Sequence, residues 1–341
     1  MSVGCLWTWT PVAHDVRFAR SYHTCTAIGG KLYLTGGVIS ADPKEPPLDD
    51  IVTYDPEQKT VESGAPGGLF RRSHHDAAEL NNKCLCVVGG WDGAHRTSSV
   101  FSYDTETAEW APWAEHRGGT PPAGLSSHTC TKISQRELCV VGREGGVRTQ
   151  RRYASVYTLQ VNASDRTYRY KEEESRTASR SGHSAALLKT TRGHGWSLYV
   201  LGGRESGSED LVGYWKTEKV QVDTSSGSRL VEQLSRLVSS DTAKHEAPRS
   251  LRHHSCSVIG PFLVIFGGEA LGRSRDAVCN DLYVCDTRCS PMKWFRFPGS
   301  DPLHKRVGHR TCLLSDRLYL VGGFGADGRT PSPEIHVLDF L

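Results

Sequence analysis

The stretch HTCTAIGGKLYLTGG, residues 23–37, decides how the rest of this chain is read. It starts at a histidine, passes through small residues to a glycine turn, and follows an apolar run into a second glycine pair. That closing pair recurs along the chain at intervals of 53 to 65 residues. The recurrences are Gly36-Gly37, Gly89-Gly90, Gly202-Gly203, Gly267-Gly268 and Gly322-Gly323, with a one-glycine version at Gly142-Arg143.

A histidine precedes each apolar run, so one unit is present in six copies. The histidines are His23, His75, His128, His183, His254 and His309. Intervals of this length exceed the period of ankyrin and leucine-rich repeats, and they suit a four-stranded propeller blade. The sequence therefore predicts an all-β fold, a six-bladed β-propeller with four-stranded antiparallel blades.

Each repeat divides into strands by its hydrophobic pattern. The first strand begins at the histidine, and the second is the apolar run, whose lack of polar alternation predicts burial on both faces. The third strand ends in an aromatic or apolar residue followed by aspartate, and the fourth carries a tryptophan, as at Trp110 and Trp294. The predicted third strands cover residues 51–55, 100–104, 220–223, 282–286 and 335–339.

This pattern resembles the kelch repeat, whose members fold as β-propellers, and the resemblance covers essentially the whole chain. It rests on the double glycines, on pairs such as Tyr54-Asp55, and on the tryptophan of the last strand. The six units begin near Arg20, Arg72, Leu125, Arg180, Leu251 and Arg306. Units three and five depart from the pattern by replacing that leading arginine with leucine, and unit three has Arg143 where a second glycine is expected.

The two ends of the chain predict how the ring closes. Unit six stops at Phe340-Leu341, directly after its third strand. Residues 5–12 resemble a fourth strand with its tryptophan, so we expect them to complete blade six and to make residues 1–341 a single propeller.

The region 204–250 is the longest irregular part of the chain. Residues 228–238 have helical apolar spacing, yet they also fall where blade four needs its fourth strand. Strand structure over 228–234 is favoured, because an open blade would expose a sheet edge. An inserted helix that docks a partner is the alternative.

Composition excludes several classes of function. The net charge of +3 and an isoelectric point near 8.3 give no basic stripe for nucleic acid. No apolar run approaches the roughly 18 residues of a membrane span, and the first residues do not resemble a secretory signal. Several of the eleven cysteines, among them Cys84, Cys86 and Cys139, lie in apolar strand runs, so a reducing compartment, cytoplasm or nucleus, is expected.

The recurring histidines are interpreted as scaffold residues, and no metal, cofactor or catalytic residue is expected. A metal site needs ligands that converge, whereas the doublets His74-His75 and His253-His254 belong to different blades. No G-x-S-x-G or H-E-x-x-H motif is present, and the glycine-rich stretches follow strands without opening a helix.

Recognition is expected at the mouth of the central channel, where loops meet on a rigid scaffold. Aromatic and arginine side chains there would contact a protein or peptide, and clustered arginines favour an acidic segment or a C-terminal carboxylate. The competing interpretation is that Trp91 packs on a neighbouring blade and that Arg151 and Arg152 are solvated edge charges. The candidate residues are Tyr22, His74, Trp91, Arg96, Arg143, Arg148, Arg152, Arg204, His253 and Arg273.

Two classes of function remain open. The kelch resemblance implies a non-enzymatic protein-interaction module, with an adaptor or substrate-recognition role as its more specific form. Some kelch relatives deliver substrates to cullin-RING ligases, but this chain has no room for a BTB domain, so that link is a family analogy. The alternative is a small-ligand-binding or enzymatic propeller that uses the central channel.

Overall fold

The computed structural model describes residues 6–144, 151–204, 209–272 and 277–341. Six sheets of three to five strands form the blades of a β-propeller. Pairing within the blades is antiparallel, apart from one short parallel strand added to blade three. The prediction of an all-β, six-bladed propeller is confirmed.

The strands of the first three blades follow the repeat. Strand β1 (Trp7–His14) belongs to the last blade. Blade one contains β2 (Thr24–Ile28), β3 (Lys31–Thr35), β4 (Ile51–Asp55) and β5 (Thr60–Ser63). Blade two contains β6 (Asp76–Leu80), β7 (Cys84–Trp91), β8 (Arg96–Asp104) and β9 (Glu109–Pro112). Blade three contains β10 (Ala114–Glu115), β11 (Thr129–Ser134), β12 (Glu137–Gly142), β13 (Ser155–Asn162) and β14 (Thr167–Glu173).

The second half of the ring is less regular. Blade four contains β15 (Ser184–Lys189), β16 (Gly195–Leu201) and β17 (Asp210–Lys216), and helix α1 (Ser228–Val238) follows. Blade five contains β18 (Lys244–His245), β20 (Ser255–Ile259), β21 (Phe262–Phe266), β23 (Leu282–Asp286) and β24 (Lys293–Phe297), and β19 (Leu251–Arg252) pairs with β22 (Glu269–Ala270). Blade six contains β25 (Arg310–Leu314), β26 (Arg317–Val321) and β27 (Glu334–Phe340). Short 3-10 helices cover Val16–Phe18, Gly68–Phe70, Thr217–Lys219 and Pro302–His304.

The first strand of every blade lines the central channel. These strands contact one another in the order β2, β6, β11, β15, β20 and β25, and β25 contacts β2 again. The second strand of each blade is sandwiched between sheets, and all five residues of β21, for example, are buried. The apolar core therefore lies between blades, in a ring around a polar channel.

The N-terminal strand closes the ring, as predicted. Strand β1 pairs antiparallel with β27, with Trp7 opposite Phe340 and Trp9 opposite Leu338. The Trp9 side chain is 2% exposed and lies edge-on to Phe266 of blade five, with ring centroids 4.9 Å apart. The first strand of the chain is thus the outer strand of the last blade.

Close contact between glycine and histidine joins consecutive blades. A methyl group on Gly36 would lie 2.7 Å from the His75 ring of the next blade, and one on Gly37 would lie 2.8 Å from Cβ of His23 in its own blade. Both glycines have positive φ, +67° and +91°. The first glycine of each of the other pairs meets the following histidine in the same way: Gly89 with His128, Gly202 with His254, Gly267 with His309 and Gly322 with His23.

Five of the six blade histidines also form hydrogen bonds across a blade junction. The Nε2 atom of His75 lies 3.0 Å from the Thr24 hydroxyl of the preceding blade, and His183, His254 and His309 bond to a Thr or Ser at the same position. Neither ring nitrogen of His23 has a partner among the described residues, because Arg310 stands at that position in blade six. The expectation that these histidines are scaffold residues agrees with this arrangement.

Blade four departs from the prediction of four strands and of a third strand at 220–223. Its third strand is β17, and no fourth strand follows it in the described ranges. Asp210 at the start of β17 forms an ion pair with the buried Arg180. In blade one, Asp50 just ahead of β4 pairs with Arg20 at 2.7 Å. In these two blades, the carboxylate that pairs with the leading arginine lies at the start of the third strand.

The segment that follows leaves blade four. The Gln221 N–H donates to the carbonyl of Ile133 in blade three at 2.8 Å. Val220 and Val222 pack on the apolar cluster between blades three and four. These contacts hold residues 220–222 against the neighbouring blade instead of in a ladder with β17.

The expectation of a strand over 228–234 is wrong, because these residues lie in helix α1. Leu230, Leu234 and Leu237 recur at helical spacing and are buried in the core between blades five and six. Burial of each leucine contributes about 1.5–3 kcal/mol, which favours the helix over a strand at the edge of blade four. The apolar face of α1 packs on the propeller itself, so it does not serve as a partner-docking face.

Removal of the closing strand is expected to destabilise the protein severely. Deleting residues 1–12 should prevent native folding or sharply lower the melting temperature, because blade six loses its outer strand. The milder Trp9→Ala change should reduce the free energy of unfolding in urea by about 3–5 kcal/mol. Thr8→Ala, on the opposite face of the same strand, is the control and should cost less than about 1 kcal/mol. A truncated chain that melts at the parental temperature would contradict this closure.

The buried histidines should make the fold sensitive to acid. Burial lowers the pKa of His254 to about 4 and that of His309 to about 3. An unfolded histidine titrates near 6.5, so below that pH the unfolded chain binds more protons and stability falls toward about pH 4. Each such histidine should cost about 2 kcal/mol by about pH 5.

Urea unfolding between about pH 7.5 and pH 5 measures this loss. The free energy of unfolding of a His254→Gln variant should depend less steeply on pH in the same range, because about one proton fewer binds on unfolding. Stability that stays constant across the range would show that these histidines do not become protonated on unfolding.

Candidate binding site at the channel mouth

Six residues directly before the blade histidines form a closed ring of backbone hydrogen bonds at one end of the channel. Each N–H donates to the carbonyl of the equivalent residue in the preceding blade, at 2.7 to 3.0 Å. All six have positive φ, between 52° and 70°. The ring consists of Tyr22, His74, Ser127, Gly182, His253 and Gly308.

Three side chains of this ring cover the channel. The rings of Tyr22 and His74 stack with centroids 4.1 Å apart, and His253 meets Tyr22 edge-on at 4.9 Å. The left-handed backbone, which glycine adopts without strain in blades four and six, is costly for Tyr and His. These three residues, here called the aromatic floor, line both the cavity above them and the channel below.

Burial sets the charge state of the aromatic floor. It lowers the pKa of His74 to about 4, with a smaller contribution from Arg96, and that of His253 to about 3. It raises the pKa of Tyr22 to about 12. The floor is therefore neutral at physiological pH, and its histidines act as hydrogen-bonding rings instead of cations.

A cavity of about 590 Å³, here called the mouth cavity, lies above the floor. Trp91, Arg96 and Arg143 line it together with the three floor residues. The backbone of Trp91 is held by a pair of hydrogen bonds to Ser73, and the Arg96 Nε donates to the Ser126 hydroxyl at 3.0 Å. The structure thus brings six of the predicted site residues into one cavity.

Of the other four predicted residues, Arg152 and Arg204 do not line this cavity. The Arg152 guanidinium is exposed and lies 5.4 Å from the centre of the Tyr153 ring. Arg204 lies 3.7 Å from an Asp210 carboxylate oxygen in blade four. Arg148 and Arg273 fall outside the described residues. Arginines that follow second strands therefore differ in role, since Arg143 lines the mouth cavity whereas Arg204 lies beside Asp210.

The two sides of the mouth cavity differ in charge. Blades two and three contribute Arg96 and Arg143, whereas the loop between β3 and β4 of blade one contributes Asp42 and Glu45. An anionic group of a ligand is expected to lie toward blades two and three, because opposite charges attract most strongly where water is excluded.

An ion pair crosses the channel below the floor, and it was not predicted. Arg310 of blade six donates to an Asp76 carboxylate oxygen at 3.2 Å, and the other Asp76 oxygen accepts the Cys130 N–H at 2.7 Å. The position after the blade histidine is Thr or Ser in four blades, as at Thr24, and Asp or Arg in two. The presence of two residues of opposite charge at a repeat position that is otherwise Thr or Ser could have indicated this ion pair.

Chemistry of other kinds is limited among the described residues. No three His, Cys, Asp or Glu side chains within them group closely enough to hold a metal ion. His74 and His253, which the sequence assigns to separate blades, do converge, with ring centroids 6.2 Å apart. The ten cysteines in the described ranges are free thiols. No helix in these ranges is long and apolar enough to cross a membrane.

Comparison with known proteins gives the family. The Attractin/LZTR1 beta-propeller family matches residues 44–330, and the Kelch motif matches residues 19–68. The chain belongs to the kelch β-propeller family. Kelch propellers are generally interaction scaffolds and not enzymes, so family membership indicates a protein-interaction module.

Two groups of relatives show how far this similarity extends. The chain is 53% identical to Kelch domain-containing protein 9 of Homo sapiens over 100% of its own length and 97% of that protein, and 53% identical to the Mus musculus protein of the same name over 99% and 97%. Residues 125–152 and 308–341 already suggest this likeness in the sequence. Adagio protein 3 of Arabidopsis thaliana is 26% identical over 93% of this kelch propeller and 49% of that protein.

Proposed function

We propose that this kelch propeller binds a protein or peptide partner at the mouth cavity. The observation that carries the proposal is the arrangement of the aromatic floor beneath Trp91, Arg96 and Arg143. Aromatic and arginine side chains around a concave surface dominate binding energy in most protein interfaces. A rigid floor also reduces the entropy lost on binding, since the backbone ring already holds its side chains in place.

The partner segment is proposed to carry a carboxylate, either an acidic side chain or a C-terminal carboxylate. Arginine binds carboxylates through paired N–H donors, and Arg96 and Arg143 lie on the same side of the mouth cavity. Because the aromatic floor is neutral, a carboxylate in the mouth cavity is attracted to Arg96 and Arg143 and not to the floor histidines. Asp42 and Glu45 across the cavity would repel a carboxylate that entered in the opposite orientation.

The channel beneath the floor favours a partner at the mouth over a substrate inside the ring. That channel has a volume of about 420 Å³, but the floor covers one end and the Arg310–Asp76 pair crosses its interior. A ligand moving through it would have to break a charge-assisted bond in a confined space. Binding without catalysis is the proposed activity, in preference to a small-ligand or enzymatic use of the channel.

The cellular role follows only by analogy. An adaptor or substrate-recognition role suits a propeller that presents one binding mouth, and the link to cullin-RING ligases rests on the family alone. The buried free thiols support a reducing compartment, cytoplasm or nucleus, because disulfides are rare there. Burial raises the pKa of Cys139 and Cys256 to about 12, which keeps these thiols protonated.

Substitution of a mouth arginine should weaken binding of acidic peptides. A peptide library with free C-termini and varied acidic content would be titrated against the wild type, Arg143→Ala and Arg148→Ala. Loss of Arg143 should weaken binding of the selected peptides about tenfold or more, since a charge-assisted hydrogen bond contributes about 1.5–3 kcal/mol. Arg148→Ala tests whether a second arginine of the same loop contributes.

Arg152→Ala is the matched control, because it removes an exposed arginine outside the mouth cavity. The affinity of the Arg152→Ala variant for the selected peptides should equal that of the wild type. Equal affinities for Arg143→Ala and the wild type would rule out Arg143 as a binding residue, and peptides without any carboxylate that bind equally well would contradict the proposed chemistry.

A further inference from the structure

The outer edge of blade four differs from the edges of the other blades. Blades one, two and six end in a fourth strand, namely β5, β9 and β1. Blades three and five extend further and have five strands each. In the described structure blade four ends at its third strand, β17, which pairs with β16 alone.

The neighbouring blades extend past this edge on both sides. Along the outside of blade three, the N–H groups of Ala114, His116 and Thr120 donate to backbone carbonyls of 166–170 at 2.7 to 2.9 Å. On blade five, β18 pairs with β24. Since paired strands lie about 4.8 Å apart, the β17 edge is set back by two strand positions, roughly 10 Å. We call the space outside β17, between the outer strands of blades three and five, the blade-four slot.

Most of the backbone along the slot has no hydrogen-bond partner within the described part of the chain. Among the described residues, no backbone group outside β16 bonds to β17. One side chain reaches it, as the Thr177 hydroxyl donates to the Leu211 carbonyl at 3.4 Å. A row of free N–H and C=O groups on an edge strand is a template for another strand.

Apolar side chains lie exposed beside these groups. Leu211 is 57% exposed and Tyr214 is 56% exposed. They lie opposite Tyr199 and Ser197 of β16, two residues apart there, because a bulge adds one residue to β17 between them. Both therefore lie on one face of the sheet. Leu211 also borders a cavity of about 400 Å³ between blades four and five, lined in part by Tyr199 and Met292.

Charge distinguishes the two ends of the slot. Lys216 at the end of β17 lies opposite Gly195, near Lys189 and Arg192 of the β15–β16 turn. None of these three cations forms an ion pair with a described residue. At the other end, Asp210 pairs with Arg180, whereas the Glu209 carboxylate accepts only the neutral Trp294 indole N–H, at 3.3 Å, among the described residues and so keeps its negative charge. The Lys216 end of the slot is therefore positive, and the Glu209 end is negative.

We propose that the blade-four slot binds an extended segment of a protein partner, which adds to β17 as an antiparallel fourth strand. Antiparallel addition continues the order of the sheet and starts the segment at the cationic end. The segment is therefore acidic at its N-terminal end and apolar at alternate positions after it, so that one side contacts Leu211 and Tyr214. A second copy of this chain does not fit, because two recessed edges cannot meet without collision of the flanking blades.

Selection of displayed random peptides on the full chain tests this proposal. The peptides would be about seven residues long, the length of β17, and would be counter-selected against a Leu211→Lys, Tyr214→Lys double variant. Peptides that prefer the wild type should show alternating apolar residues after an N-terminal acidic one. The double variant should weaken their binding at least about tenfold, and hydrogen exchange of β17 amides should slow when they bind.

Three matched variants define the outcome. Leu69→Lys changes another exposed leucine, 92% exposed on blade one, and Arg143→Ala alters the mouth cavity; both should bind the selected peptides like the wild type. Lys216→Glu should shift the selection toward basic N-terminal ends. The proposal fails if no peptide depends on Leu211 and Tyr214, if protection falls outside β17, or if sedimentation shows that the chain pairs with itself through this edge.

Discussion

The contact between a glycine and the histidine of the next blade is the constraint on which this propeller depends. Gly36 has room for the His75 ring only because it lacks a side chain, and Gly37 leaves equal room for His23. Four further junctions repeat this contact, and the N–H of the second glycine donates to the leading residue of the following blade, as from Gly37 to the Arg72 carbonyl at 2.8 Å. At five of the six junctions a blade therefore sets the position of the next, and the contact between Gly322 and His23 joins the last blade to the first.

The regular part of the repeat builds the scaffold, and the irregular positions supply the surfaces that can recognise a partner. The residues before the blade histidines share one backbone conformation and one hydrogen-bonded ring, yet their side chains range from glycine to the stacked Tyr22 and His74. Arg310 and Asp76 occupy a position that is otherwise Thr or Ser. Within the described ranges blade four has no outer strand, because the segment after β17 packs on other blades. These departures cost the scaffold little, since each junction keeps its glycine, its histidine or its backbone bonds.

The sequence was sufficient for the scaffold and for much of the site, but not for blade four. The blade histidines and glycines carry a strict period, so six blades, the closing strand and the mouth position of Tyr22, His74 and His253 could be predicted. The third strand of blade four could not be placed from the apolar-Asp pattern alone, because residues 220–223 imitate it. The pairing of Arg180 with Asp210 settles that strand, and it depends on a contact between separate segments. Helix α1 could not be predicted from the pattern alone, because the burial of its three leucines between blades five and six depends on tertiary packing.

Two alanine substitutions at glycines of similar conformation test the central contact directly. Gly36 and Gly29 both have positive φ, +67° and +57°, but a methyl group on Gly29 would meet nothing within 4 Å. Gly29→Ala should lower the free energy of unfolding in urea by about 1 kcal/mol, the strain of the left-handed backbone. Gly36→Ala should cost about 3 kcal/mol more or prevent folding, because the methyl group collides with His75 and the Arg72 backbone. Equal losses for the two variants would show that the glycine–histidine contact does not hold the blades together.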